Sequence, residues 1–207
     1  GYCGVDGNLI IANTESFTDM SDFNSVSTVT GTLTISSNSA LVSFSGMENL
    51  NFVGSSLNLF NNDSVTEIVS SDFDSLYSFK SINVYGNDLL TSIASFNGIN
   101  EAEFDVVIEF NQALETITGF SSLTTVRRLT LEDLPDLTSI TGFNNLATVS
   151  QNMTLNNLDS LTDIVEFNSL VSVGGKLEIT ANPSLVNISG INSINSIYSL
   201  NVKNNYY

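Results

Sequence analysis

The chain has no histidine, no tryptophan and a single cysteine, Cys3, in 207 residues. Without histidine, neither a Ser-His-Asp nor a Cys-His catalytic arrangement can be assembled. One cysteine excludes a disulfide framework within the chain, and leaves Cys3 as a free buried thiol or as the partner of another chain or segment. No apolar run approaches the ~20 residues that a membrane helix requires. No signal peptide is recognisable, so Gly1 reads as a processed or trimmed start. A phosphate-binding glycine loop is also missing, and Gly174-Gly175 reads only as a turn.

Positive charge is scarce as well. Five basic residues face 22 acidic ones, a formal net charge of −17. Such a field repels nucleic acid and anionic membrane surfaces and attracts cations or basic partners. Yet charged residues make up only 13% of the chain, so the solvated surface must be built largely from Ser, Thr and Asn. These side chains compete with helical hydrogen bonding, and the composition suits strands, turns and extracellular surfaces.

What the sequence does contain is one sentence repeated throughout. In Leu177 to Ile197 it reads L-x-I-x-x-N-x-x-L-x-x-I-x-G-[FI]-x-x-L-x-x-V. The L-x-I pair begins at Leu9, Leu33, Leu57, Ile82, Val106, Leu129, Met153, Leu177 and Leu200, a period of roughly 24 residues that marks a repeat architecture. Alternation within the pair predicts a short strand with one face buried. Three residues after its second member stand Asn38, Asn62, Asn87, Asn111, Asn182 and Asn205, with Thr14, Leu134 and Leu158 in the other turns. Inward asparagines at successive corners can satisfy backbone groups that a buried bend would orphan, which predicts an asparagine ladder, interrupted at Leu134 and Leu158 where the core widens. A Gly before a large residue, as in Gly46-Met47, Gly119-Phe120, Gly142-Phe143 and Gly190-Ile191, points to a corner with positive φ or close backbone approach. Asp22, Ser95 and Glu166 take that place in other turns.

The second half of each repeat spaces its apolar residues in strict threes, which drift off a helical face. Short strands and turns with 3₁₀ pieces fit better. The fold class expected is therefore all-β, a right-handed β-solenoid of about nine turns and roughly 40 Å in length at one strand spacing per turn. It reads as one domain over 1–207: an N-terminal cap at 1–8, eight full turns at 9–199 and a partial last turn at 200–207. Two irregularities stand out. One is an extra segment at Val69 to Asp72, expected to bulge as a loop, and the other an acidic bulge at Asn100 to Asp105.

The run from LTLEDLPDLTSITGFNNL to LEITANPSLVNISG resembles the receptor L domain, the leucine-rich-repeat-like β-helix of growth-factor receptors, and is closest in flavour to microbial and fungal cell-surface members. The resemblance covers nearly the whole chain. It implies a non-enzymatic extracellular or cell-surface module. The chain departs from the receptor type by lacking its cysteine modules.

The register places Phe60 and Tyr85 on adjacent turns of the outward row, with Glu109 and Glu132 continuing it. An aromatic pair beside carboxylates suits a protein or glycan contact, and these four residues form the expected ligand-binding face. Stacked aromatics also stabilise a sheet by themselves. Glu109 and Glu132, one strand apart, approach the separation of a retaining glycosidase pair, the remote enzyme reading. Asp19 with Asp22, and Asp163 with Glu166, are read as solvated carboxylates and not as metal ligands. No cofactor is expected.

Four basic residues, Lys80, Arg127, Arg128 and Lys176, precede strands of the first sheet and are expected to relieve local negative charge. Of three N-x-[ST] sequons, Asn62 belongs to the ladder, which leaves Asn152 and Asn187 as glycosylation candidates. Leu200, Val202, Tyr206 and Tyr207 lie near an open end. A bare edge there invites pairing, and head-to-tail contact that does not close gives a filament. Subunits of an extracellular filament or surface layer are thus the alternative to a binding module.

Overall fold

A computed structural model describes residues 4–205, with the backbone alone at 102–104. Cys3, Tyr206 and Tyr207 lie outside the described residues. The chain is an all-β solenoid of about eight turns plus a partial last one. Its main sheet is parallel, and the register joins Leu9, Leu33, Leu57, Ile82, Val106, Leu129, Met153, Leu177 and Leu200 side by side. The repeat read from sequence is thus the physical register. Two narrower sheets line the other sides of the coil: Gly4–Val5, Thr28–Val29 and Phe52–Val53 on one, and Glu67–Ile68, Ser92–Ile93 and Thr116–Ile117 on the other. Three 3₁₀ turns, Ser21–Phe23, Thr141–Phe143 and Ser189–Ile191, fill corners.

One apolar core runs through the coil from Ile11 to Leu185. Its spine is a column of phenylalanines. Phe73, Phe96, Phe120, Phe143 and Phe167 stack with centroids 5.3, 5.1, 5.3 and 5.9 Å apart, and Phe44 tilts against Phe73 at 5.7 Å. The residue before this column explains the recurrent Gly. A Cβ at Gly119 would collide with the Ser95 carbonyl oxygen, and one at Gly142 with that of Gly119. Close approach is therefore the reason for Gly at these two corners; Gly46 has positive φ as well.

The ladder forms as expected. Asn62 Nδ2 donates to Ile35 O (2.9 Å) while its Oδ1 accepts the Asn38 N–H (3.3 Å). Asn87 repeats this with Leu59 O and Asn62 N–H, and Asn111 with Val84 O and Asn87 N–H. Where Leu158 interrupts, its own N–H is taken by Asn182 Oδ1 at 2.9 Å, and both Leu134 and Leu158 are fully buried. The residue just before each ladder position is left-handed: Asn13, Ser37, Asn61, Gly86, Phe110, Asp133, Asn157, Ala181 and Asn204. The sharp corner is made here, one residue earlier than the ladder itself.

One irregularity differs in form from expectation and the other matches it. The segment at 69–72 is no open loop, because Ser70–Phe73 closes a single α-helical turn that delivers Phe73 to the spine. Residues 101–109 form one continuous strand with a register shift between Ala102 and Asp105, so the acidic stretch is a β-bulge. Between these two features the side sheet is interrupted. Phe52 bridges Ser78, whereas Glu101 starts a new run of pairing with Thr125.

Candidate functional site

The outward row of the main sheet is set by the inward Leu and Ile pair, since successive side chains alternate between faces. Ser36, Phe60, Tyr85, Glu109, Glu132, Asn156 and Thr180 follow one another across adjacent strands. The structure therefore brings the four expected face residues together. Phe60 and Tyr85 stack with centroids 4.6 Å apart and planes within 5°. That spacing equals one inter-strand step, so the rings stand on edge and press one face on each other. Both are half-buried. Tyr85 keeps its second face for the Glu109 side, and Phe60 keeps its own for the small Ser36.

Glu109 and Glu132 are direct neighbours in register. Burial first, then the charges of Glu132 and Asp133, push the Glu109 carboxyl above its ordinary range. Burial and the Glu109 charge likewise raise the Tyr85 phenol. Asn156 Nδ2 donates to Glu132 Oε1 at 2.8 Å. Among the described residues no ion pair is made by either glutamate. The ion pairs that do form are Arg127 with Asp105 (2.9 Å), Arg128 with the same carboxylate (3.8 Å), and Lys176 with Glu178 (2.6 Å). These three cations neutralise nearby carboxylates, as the sequence implied, and leave the Glu109–Glu132 column uncompensated.

Phe110, next to Glu109, escaped the sequence reading. It is 48% exposed and sits at φ 55°, where other turns place mostly Asn, Ser, Asp, Ala or Gly. A bulky side chain in that region is strained, and strain of this kind concentrates at binding sites. A signal was available: Phe110 is the only large apolar residue at its place in the repeat.

The other expected positions separate clearly. Asp19 Oδ1 accepts the Ser21 N–H and Glu166 Oε2 accepts the Val165 N–H, so these carboxylates cap local turns. Asn62 is fully buried with its amide engaged, which conflicts with glycosylation. Asn152 is exposed and accepts the Lys176 N–H; Asn187 is half-exposed and accepts the Ser189 N–H. Near the C-terminal end, Leu200 and Val202 are 55% and 44% exposed and Tyr198 85%. Among the described residues no helix is long and apolar enough to cross a membrane.

Neither a curated protein nor a solved structure matches the chain significantly. A family model does: that of the receptor L domain, a non-enzymatic ligand-binding family found in extracellular portions of receptors, aligns with residues 3–114. That match spans the left-handed corners from Asn13 to Phe110, the Asn38 to Asn111 ladder and the Phe60–Tyr85 stack, over more than half of the sequence, and the chain belongs to the receptor L domain family.

Proposed function

We propose that this protein is an extracellular recognition module that takes a protein ligand with an exposed basic side chain onto the face formed by Phe60, Tyr85, Glu109 and Glu132. The observation that carries this reading is the uncompensated carboxylate pair beside the free face of Tyr85. A guanidinium laid on that ring gains a cation–π contact and charge-assisted hydrogen bonds to both glutamates. It also relieves the repulsion between them. Phe110 borders the same end of the row. The net charge of −17 steers a basic partner toward the coil. Titration calorimetry with a hexa-arginine peptide, at low and moderate salt, tests the proposal. Binding that weakens with salt and drops about tenfold or more in the Glu109→Gln/Glu132→Gln double variant is expected. Affinity unchanged in that variant would sink it.

A second reading rests on the two ends of the coil. The first turn carries Asp6, Glu15, Asp19 and Asp22 and no cation, whereas beyond Glu166 the charges are Lys176, Lys203 and Glu178. Leu200 and Val202 lie exposed on the last strand. Acidic and basic ends on one rod favour head-to-tail stacking of copies, with Tyr206 and Tyr207 following that strand in sequence. Light scattering over a concentration series checks this: growing rods dispersed by salt support it, and a constant monomer removes it. Asn152 and Asn187 are the proposed glycan attachment sites, read out by mass shift on deglycosylation.

A further inference from the structure

Beside the break in the side sheet lies a cleft of about 420 Å³ lined by three successive turns. Phe52, Tyr77 and Phe79 supply its rings, Ser78 and Asn100 its neutral polar groups, and Glu101 stands at its rim. Lys80 joins it to a smaller hollow beside Ser55, Ser56 and Ser81. Nothing in the family match or the face described above accounts for this place.

The repeat supplies its own control. Positions equivalent to Phe52 hold Thr28, Ser78, Glu101, Thr125, Thr148 and Ser172, and positions equivalent to Tyr77 hold Ser27, Asn51, Asn100, Thr124, Ala147 and Val171. No other ring stands at either place in these turns, and most of the residues there are small hydroxyls or amides. Tyr77 is 64% exposed and therefore contributes little to the core. Phe79, at 4%, fills the gap from within. Aromatic residues at Phe52 and Tyr77 break the local pattern without a packing need, and such departures mark functional sites. They occur beside the place where the pairing of adjacent turns lapses.

From this geometry we infer that the cleft is a saccharide subsite, taking one ring of a neutral oligosaccharide. The volume falls within the range of small-molecule sites. Aromatic rings offer apolar faces to sugar C–H groups, while Ser78, Asn100, Glu101 and nearby backbone groups offer donors and acceptors for hydroxyls. An acyl chain would leave the polar walls unpaired, and a phosphorylated ligand would meet the repulsion of the whole chain. The adjoining serines extend the hydroxyl-binding surface for the next sugar along the strand direction.

The test uses the described chain and three defined probes, chitotetraose, cellotetraose and mannotetraose, followed by tyrosine fluorescence and by NMR. Saturable binding of at least one tetraose is expected, weakened about tenfold by Tyr77→Ala and by Phe52→Thr. Phe52→Thr installs the repeat's own residue, so its fold is preserved, and an unchanged melting temperature verifies this. Phe60→Ala should leave sugar binding intact, which separates this cleft from the basic-ligand face. Absence of binding to all three tetraoses overturns the inference. So does binding indifferent to both substitutions, or capture of hexaglycine in place of the sugars, which would make the cleft a peptide groove.

Discussion

The coil between Phe52 and Phe110 and the coil between Leu129 and Thr180 are written on one repeat, yet they are built differently. The later stretch is more regular, its register shift lying between Val173 and Lys176 against the last strand. Its strands pair without a shift from Leu129 to Met153 to Leu177, and its outward row holds Glu132, Asn156 and Thr180, joined by side-chain hydrogen bonds of 2.8 and 2.7 Å. The earlier stretch holds the helical turn, the β-bulge, the sheet break, the strained Phe110 and the outward rings of Phe52, Phe60, Tyr77 and Tyr85. It also buries a carboxylate, Asp72, at the place where four other turns use Gly. Turns that differ this much on the same template show which residues the fold requires and which it merely tolerates. The difference concentrates the departures from the template in one third of the rod.

The largest effects should arise where both stretches share a requirement. Phe143→Ala removes a ring held between Phe120 and Phe167 and should cost about 4 kcal/mol in urea unfolding. A loss below 1 kcal/mol would show that the spine is filler. Asn87→Ala strips partners from the Asn62 N–H and the Leu59 carbonyl, with an expected cost of about 3 kcal/mol. The fully buried Leu158 in the regular stretch shows that an apolar corner can exist, so an equal tolerance at Asn87 would erase the distinction.

Asp72 sharpens the comparison through pH. Burial, opposed by the Val69 N–H and reinforced by Glu48 and Asp74, pushes its carboxyl up to about 6 from an ordinary 3.8. Among the described residues its Oδ1 has no hydrogen-bond partner. Because the folded value lies above the unfolded one, the folded state keeps the proton longer. Stability is then full below pH 4 and falls as pH rises through 6, by about 3 kcal/mol. Asp72→Asn should flatten that slope and raise the melting temperature at pH 7 but not at pH 4. A slope that persists in the variant would assign it to other carboxylates.

The smaller effects concern the face. Phe110→Asn relieves a left-handed bulky residue and should stabilise the fold by about 1 kcal/mol while weakening hexa-arginine binding. Gains in both stability and binding would detach Phe110 from the site. Glu132→Gln should lower the Glu109 titration midpoint only in part, followed by carboxyl NMR, since burial is the larger cause of its elevation. A full return to the ordinary range would invert that order.

Much of the architecture was legible because spacing is register in a parallel coil: the nine L-x-I starts became nine neighbours, and the ladder fell where Asn recurs. The left-handed corner was not legible, since Asn, Ser, Gly, Phe, Asp and Ala all occupy it and composition carries no single signature. The phenylalanine spine was hidden behind the more visible Gly that precedes it, and by Met47 and Ile191 at equivalent places. Of the site, the Phe60–Tyr85 stack and the Glu109–Glu132 pair could be placed by counting. The on-edge attitude of the rings could not, because it depends on the inter-strand distance. The cleft was illegible for another reason: it lies beside a place where pairing between two turns fails, and failure of pairing leaves no residue pattern of its own.

The ladder and the parallel strands share a geometric property with a mechanical consequence. Their hydrogen bonds run from each turn to the next, along the axis of the rod, and each turn touches only its neighbours. Tension applied between the two ends therefore loads these bonds one coil after another and not all together. The chain should unwind like thread from a spool, releasing about 80 Å of contour for every 24-residue coil. A molecule anchored at one end and held by a partner at the other would thus lengthen in even steps under load before its anchorage gave way.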